Sequence, residues 1–156
     1  MHLMYFTEQP MSAYSEKAGL DYGATALMFS NKHFDSEAGS RLYNQYLEEY
    51  IFAEEMGVDG IMLNEHHNAP FCMQAKTNIF ASILAAVTKR VKIVILGNPL
   101  PLSDNPLRLA EELAMIDMIS KGRLCRASCA AAGRNNWRQA SIPPSIANAS
   151  LRRMTW

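Results

Sequence analysis

The sequence predicts an α/β fold built on a parallel sheet, and three observations predict it. Short apolar runs at residues 1–6, 58–63 and 91–96 alternate with longer segments in which apolar residues recur every three or four positions, the pattern of strands alternating with helices. The run VKIVIL at 91–96 is β-branched and nearly continuous, as parallel strands buried on both faces tend to be. The connections are short except after the first strand, which suits β/α units.

Each element has its own signal. MHLMYF leaves no room for a helix before Pro10, so residues 1–6 read as a strand. Residues 10–34 show no sustained period and read as a long loop with a short helical turn. Asp35 or Ser36 caps the next helix, whose apolar stripe runs through Leu42, Tyr43, Tyr46, Leu47, Tyr50, Ile51 and Ala53. Gly57 ends it, and residues 58–63 follow as a strand. Residues 78–90 form a second helix, closed by Lys89 and Arg90, where cations suit the helix dipole. After the strand at 91–96, Asn105 and Pro106 supply an N-cap and a first-turn proline for a third helix that runs to Gly122.

The 156 residues are enough for one ordinary domain with a core. No run approaches the roughly 18 apolar residues of a membrane span, and no basic region leads into an apolar signal segment, so a cytoplasmic protein with no membrane partner is expected. The three cysteines, Cys72, Cys125 and Cys129, are too scattered for a disulfide framework or a zinc site. The zero net charge conceals an asymmetry: residues 1–123 carry a net of −5 and residues 124–156 a net of +5, with no acidic residue after Asp117. Five arginines among Ala, Ser and Pro are a weak nucleic-acid signal, and no nucleic-acid partner is expected.

Catalytic groups of parallel α/β folds gather at the carboxyl ends of the strands, where the loops into the helices begin. Three strand exits here carry polar groups: Thr7, Glu8 and Gln9 after the first, Asn64 to Asn68 after the second, and Asn98 after the third. His66 is a candidate for proton transfer, with an ordinary structural histidine as the plain alternative; Glu65 beside it would fix its tautomer or raise its pKa. Adjacent histidines on an extended backbone point to opposite sides and no H-x-x-x-H spacing occurs, so His66 and His67 do not read as a metal site. No glycine-rich phosphate loop follows any strand.

Three segments carry a resemblance: NEHH at 64–67, LGNPLPLSDNP at 96–106, and D-x-I-S-K-G-R-L at 117–124. In this order and spacing, residues 1–124 resemble the bacterial luciferase-like flavin-dependent monooxygenases. The resemblance implies the first three β/α units of a TIM-type (β/α)8 barrel. It also implies a reduced flavin (FMN or a related flavin or deazaflavin), molecular oxygen as co-substrate, a small organic substrate and a flavin reductase as partner. Glu65 and His66 correspond to the family's catalytic glutamate–histidine pair, Asn98 and Asn64 to the cofactor side of the pocket, and Phe6 and Phe71 to plausible pocket walls that equally suit ordinary core. Such a pocket has to exclude water.

The resemblance stops after Leu124, where the family continues with a fourth strand ending in glycine and arginine and this chain turns acid-free and aperiodic. The charge break falls at the same place. A one-base deletion near the Leu124 codon accounts for both, since the shifted frame permits a strand, a glycine-rich turn and an acidic helix. Residues 1–123 are therefore expected to form a partial luciferase-like barrel domain, and 124–156 an irregular, disordered tail. A truncated barrel is expected to leave an unpaired strand edge that favours self-association, and to be inactive alone. The alternative is a non-enzymatic frameshifted or pseudogene product with no specific ligand.

Overall fold

Four short parallel strands carry the fold, in the order β1 (Met4–Phe6), β2 (Gly60–Leu63), β3 (Lys92–Ile95) and β4 (Leu124–Arg126). Between them run α1 (Glu16–Tyr22), α2 (Ser36–Glu55), α3 (Thr77–Val87) and α4 (Pro106–Ser120). The computed structural model describes residues 1–22, 29–67, 69–100, 103 and 105–126.

Alternation along the strands separates two faces of the sheet. Ile61, Leu63, Ile93 and Ile95 are fully buried among Tyr50, Phe80, Ala81 and Leu84 of α2 and α3. Burying each such aliphatic side chain is worth about 1.5–3 kcal/mol. The other face carries a row in register, Phe6 against Met62, Met62 against Val94 and Val94 against Cys125. Met62 and Val94 are only half-buried and Phe6 and Cys125 are exposed. VKIVIL was read as a strand covered on both sides; among the described residues only the helix side is covered. The outer edges of β1 and β4 likewise have no strand neighbour among the described residues.

The helix caps follow the sequence signals. Asp35 accepts a hydrogen bond from the Ala38 N–H at 2.7 Å, and Asn105 one from the Leu107 N–H at 2.9 Å with Pro106 in the first turn. Helix α4 stops because Lys121 and Gly122 take left-handed φ values of 58° and 76°. Other boundaries move. The first strand begins at Met4 rather than Met1. The stretch expected as a loop holds the two-turn helix α1 and a 3-10 turn at Asn31–His33, while residues 23–28 lie outside the described residues.

Lys89 and Arg90 do not close α3, which ends at Val87. Their backbone N–H groups donate to the Glu54 carboxylate, and the Arg90 guanidinium donates to the carbonyls of Glu54 and Val58. The Arg90 cation therefore serves the end of α2 through the Glu54 carbonyl, while Lys89 contributes only its backbone N–H. The sheet also runs past the boundary drawn at residue 123. β4 pairs with β3 over Leu124–Arg126, and the rest of the expected tail, 127–156, lies outside the described residues.

Candidate functional site

Loops leaving β1, β2 and β3 converge at the carboxyl end of the sheet. Two of them are stitched together: the Met73 N–H donates to the Gln9 carbonyl at 3.0 Å and the Met11 N–H to the Pro70 carbonyl at 2.7 Å. Helix α2 clamps the same pair, its Tyr43 and Tyr46 hydroxyls donating to the carbonyls of Met73 and Pro10, each at 2.6 Å. Gln9, fully buried at φ 50°, donates from Nε2 to the Tyr50 hydroxyl at 2.6 Å. The aromatic stripe that reads as core on the sequence thus also holds the site's loops.

Glu65 is the centre of one half of the site. Its Oε1 accepts from His67 Nε2 at 2.9 Å, and its Oε2 accepts the Asn98 N–H at 2.7 Å with the Thr77 hydroxyl 3.3 Å away. Burial by itself raises the Glu65 carboxyl, but the hydrogen bonds from His67 and Asn98 and the charge of Lys76 outweigh it and hold the group below its ordinary value. Gly97 makes this approach possible, because a Cβ there would lie 2.7 Å from Glu65 Cβ and collide with the Thr77 hydroxyl. Asn98 sits at φ 58°, and its Nδ2 donates to Asn78 Oδ1 at 2.8 Å.

The sequence reading coupled Glu65 to His66. In the structure the partner of Glu65 is His67, since residues two apart on an extended backbone share a side and neighbours do not. His66 turns the other way, its Nε2 3.4 Å from Glu8 Oε2 and its ring edge-on to Phe71 with centroids 5.7 Å apart. Glu8 was placed at the first strand exit but given no role; that exit lies beside the second, which was the available signal.

Asn64, expected on the cofactor side, has both ends of its amide engaged within the protein. Nδ2 donates to Glu8 Oε2, and Oδ1 accepts from Cys72 Sγ at 3.6 Å. Burial pushes the Cys72 thiol up to about 12, so it stays a donor and sets which way the amide points. Of the two expected walls, Phe71 stands against His66. Phe6 lies on the open sheet face, 42% exposed, with no ring contact to this cluster among the described residues.

A cleft of about 540 Å³ opens between α3 and α4, lined by Glu65, Lys76, Asn78, Asn98, Arg108 and Met115 among others. It shares Glu65 and Asn98 with the strand-exit cluster but lies on the helix side, away from His66. No group of three or more potential metal ligands occurs among the described residues.

Comparison with known proteins bears on this arrangement. Residues 25–125 match the family model described as luciferase-like monooxygenase. The alkanal monooxygenase alpha chain of Photobacterium leiognathi is 29% identical over 101 residues, which is 62% of this chain and 28% of that protein. The oxygenase component of the flavin-dependent trigonelline monooxygenase of Acinetobacter baylyi is 32% identical over 90 residues, 58% of this chain and 25% of its own length.

Among solved structures, the oxygenating constituent of 3,6-diketocamphane monooxygenase from Pseudomonas putida is a type II Baeyer–Villiger monooxygenase in complex with FMN. It superposes with a TM-score of 0.62 at 16% identity, over 94% of this chain and 33% of its own, a likeness of fold. Monooxygenase RslO1 from Streptomyces bottropensis gives a TM-score of 0.62 at 27% identity, covering 70% of this chain and 33% of that one. The chain spans between a quarter and a third of the length of these relatives.

Proposed function

The chain belongs to the luciferase-like monooxygenase family, and from that premise we propose that its four strands are the opening segment of a flavin-dependent monooxygenase barrel. The observation that carries the reading is the strand-exit cluster itself. A buried carboxylate, Glu65, organises His67 and the Asn98 backbone, with His66 and Phe71 alongside, at the end of a parallel sheet where such folds do their chemistry.

Reduced FMN, or a related flavin or deazaflavin, would supply oxygen activation when bound, with a flavin reductase as partner and a small organic molecule as substrate. The residues present fit such a group: polar side chains at the strand exits border an apolar row, Phe6, Met62 and Val94, on the open sheet face, as a flat heteroaromatic ring with polar edges requires. His66 moves the proton, Glu65 holds the cluster together, Asn98 stands on the cofactor side with Asn64 behind it holding Glu8, and Phe6 and Phe71 are the walls that would exclude water once the barrel is closed.

Titration with FMN, followed by quenching of flavin fluorescence, tests the reading. Saturable quenching that weakens in Asn98→Ala supports it. A folded chain that shows no saturable quenching rejects it in favour of a non-enzymatic product. We also propose that this polypeptide alone turns over little substrate, because its sheet is open at both β1 and β4 and a shielded pocket needs closure. Flavin-dependent oxygenation by the purified chain, supplied with a reductase, would overturn that.

The acid-free composition after Asp117 supports a frameshift near Leu124. Nucleotide sequencing decides it, and a shifted frame that closes before the position of Trp156 refutes it.

A further inference from the structure

Resting on the reading of His66 as the group that addresses the ligand, we propose that Glu8 is its positioning residue, setting the imidazole in the tautomer that carries the proton on Nε2. The two ring nitrogens of His66 have opposite surroundings. Nε2 lies 3.4 Å from a carboxylate oxygen, Glu8 Oε2, within reach of its charge though outside hydrogen-bond geometry. A lone pair there would meet the lone pairs of the carboxylate, whereas an N–H is attracted to them. Nδ1 is buried with no hydrogen-bond partner among the described residues. A buried N–H without an acceptor is rarer in folded proteins than an under-used acceptor, so the proton belongs on Nε2.

Glu8 is suited to the task because it is held. The same Oε2 accepts the Asn64 amide, whose own oxygen takes the Cys72 thiol, and the Asn64 carbonyl accepts from the Thr77 hydroxyl at 3.0 Å. With Asn64 only 5% exposed, this chain of bonds reaches from the core to His66. The imidazole is held in turn by its backbone N–H on the Gln74 carbonyl at 3.3 Å and by the Phe71 edge. Glu65 takes no part, being occupied by His67 and Asn98. Both Glu8 and His66 keep part of their side chains accessible, so the pair stands at the open surface of the site.

The tautomer is read directly from long-range proton–nitrogen correlation spectra of the chain labelled with 15N-histidine, recorded well above the imidazole range, at about pH 8.5. The wild-type chain should show His66 as Nε2–H beyond the excess found in free histidine. In Glu8→Leu the Nδ1–H population should rise several-fold. In Glu8→Gln, whose amide oxygen still accepts, Nε2–H should return. His67 should be unchanged in every variant, since Glu65 still holds it.

A wild-type His66 protonated on Nδ1 overturns the proposal, and does so even if Glu8→Leu fails to fold; an unchanged tautomer in a folded Glu8→Leu overturns it too. The two readings separate in the FMN titration. Loss of saturable quenching in His66→Asn with no tautomer response to Glu8→Leu keeps His66 at the ligand and removes Glu8. The expected tautomers with undiminished quenching in His66→Asn keep Glu8 as the residue that sets the ring and remove the role of His66 toward the ligand.

Discussion

The two ends of the sheet use the same materials to opposite purposes. At the amino end, Arg123 donates to the carbonyls of Ala85, Thr88, Val91 and Ser120 and to the Thr88 hydroxyl. Nearby, Glu54 accepts the N–H groups of Lys89, Arg90 and Val91. Each charged group there is spent on backbone that would otherwise be unpaired where helices stop and strands start. At the carboxyl end, Glu65 and Glu8 hold side chains and one loop amide, and buried polar atoms of His66, Gln9 and Gln74 stay without partners among the described residues. A closed set of bonds marks an end built for stability. A set with open valences marks the end where the proposed site lies. In the sequence, NEHH and SKGRL look like comparable anchors, yet one borders the site and the other is a helix stop followed by a structural arginine.

Substitutions can break this contrast, and the largest effect should come from the closed end. Arg123→Ala leaves four carbonyls without a charge-assisted donor and should cost about 3–5 kcal/mol, with water restoring part of the loss. Chemical denaturation would show this as a large fall in the midpoint, whereas His66→Asn should leave the midpoint nearly unchanged.

At the open end, Glu65→Gln should cost about 1.5–3 kcal/mol near neutral pH, the range for hydrogen bonds to a charged group. The cost should depend on pH with a definite sign. The Glu65 carboxyl is held low in the folded chain, so its contribution is complete above about 4.5, the ordinary value, and is lost as pH falls through the lower folded value. Wild-type stability should therefore decline on acidification below that point, and the Gln variant should decline less steeply. Parallel curves for the two would contradict the assignment.

Gly97→Ala should cost about 1–3 kcal/mol by overpacking against Glu65 and Thr77. It should also speed hydrogen exchange of the Asn98 amide, because the Glu65 carboxylate is pushed away from it. The smallest effect belongs to Cys72→Ala, about 1 kcal/mol for one neutral hydrogen bond and a small cavity. Cys72→Ser should keep the donor to Asn64, so a serine variant as destabilised as alanine would argue that packing alone matters there.

Local chemistry along the chain determined the strands and helices and their succession. The β-branched run at 91–96, the Asp35 and Asn105 caps and the Gly57 and Gly122 turns are signals written within a few residues, and they reappear as β3, α2 and α4. The gathering of Glu65, His66 and Asn98 at one end of the sheet was equally legible, because parallel strands send all their exits to one side.

Tertiary structure decided the partners. Lys89 and Arg90 are tied to α2, which precedes them by more than thirty residues, because Glu54 presents its carboxylate to their amides and its carbonyl to the Arg90 guanidinium. Glu65 went to His67 because backbone alternation outranks adjacency. His66 went to Glu8, 58 positions away, because β1 pairs in register with β2 and brings the two exits side by side. A hydrogen bond depends on distance and direction in space, and those are set only once the strands have chosen their neighbours.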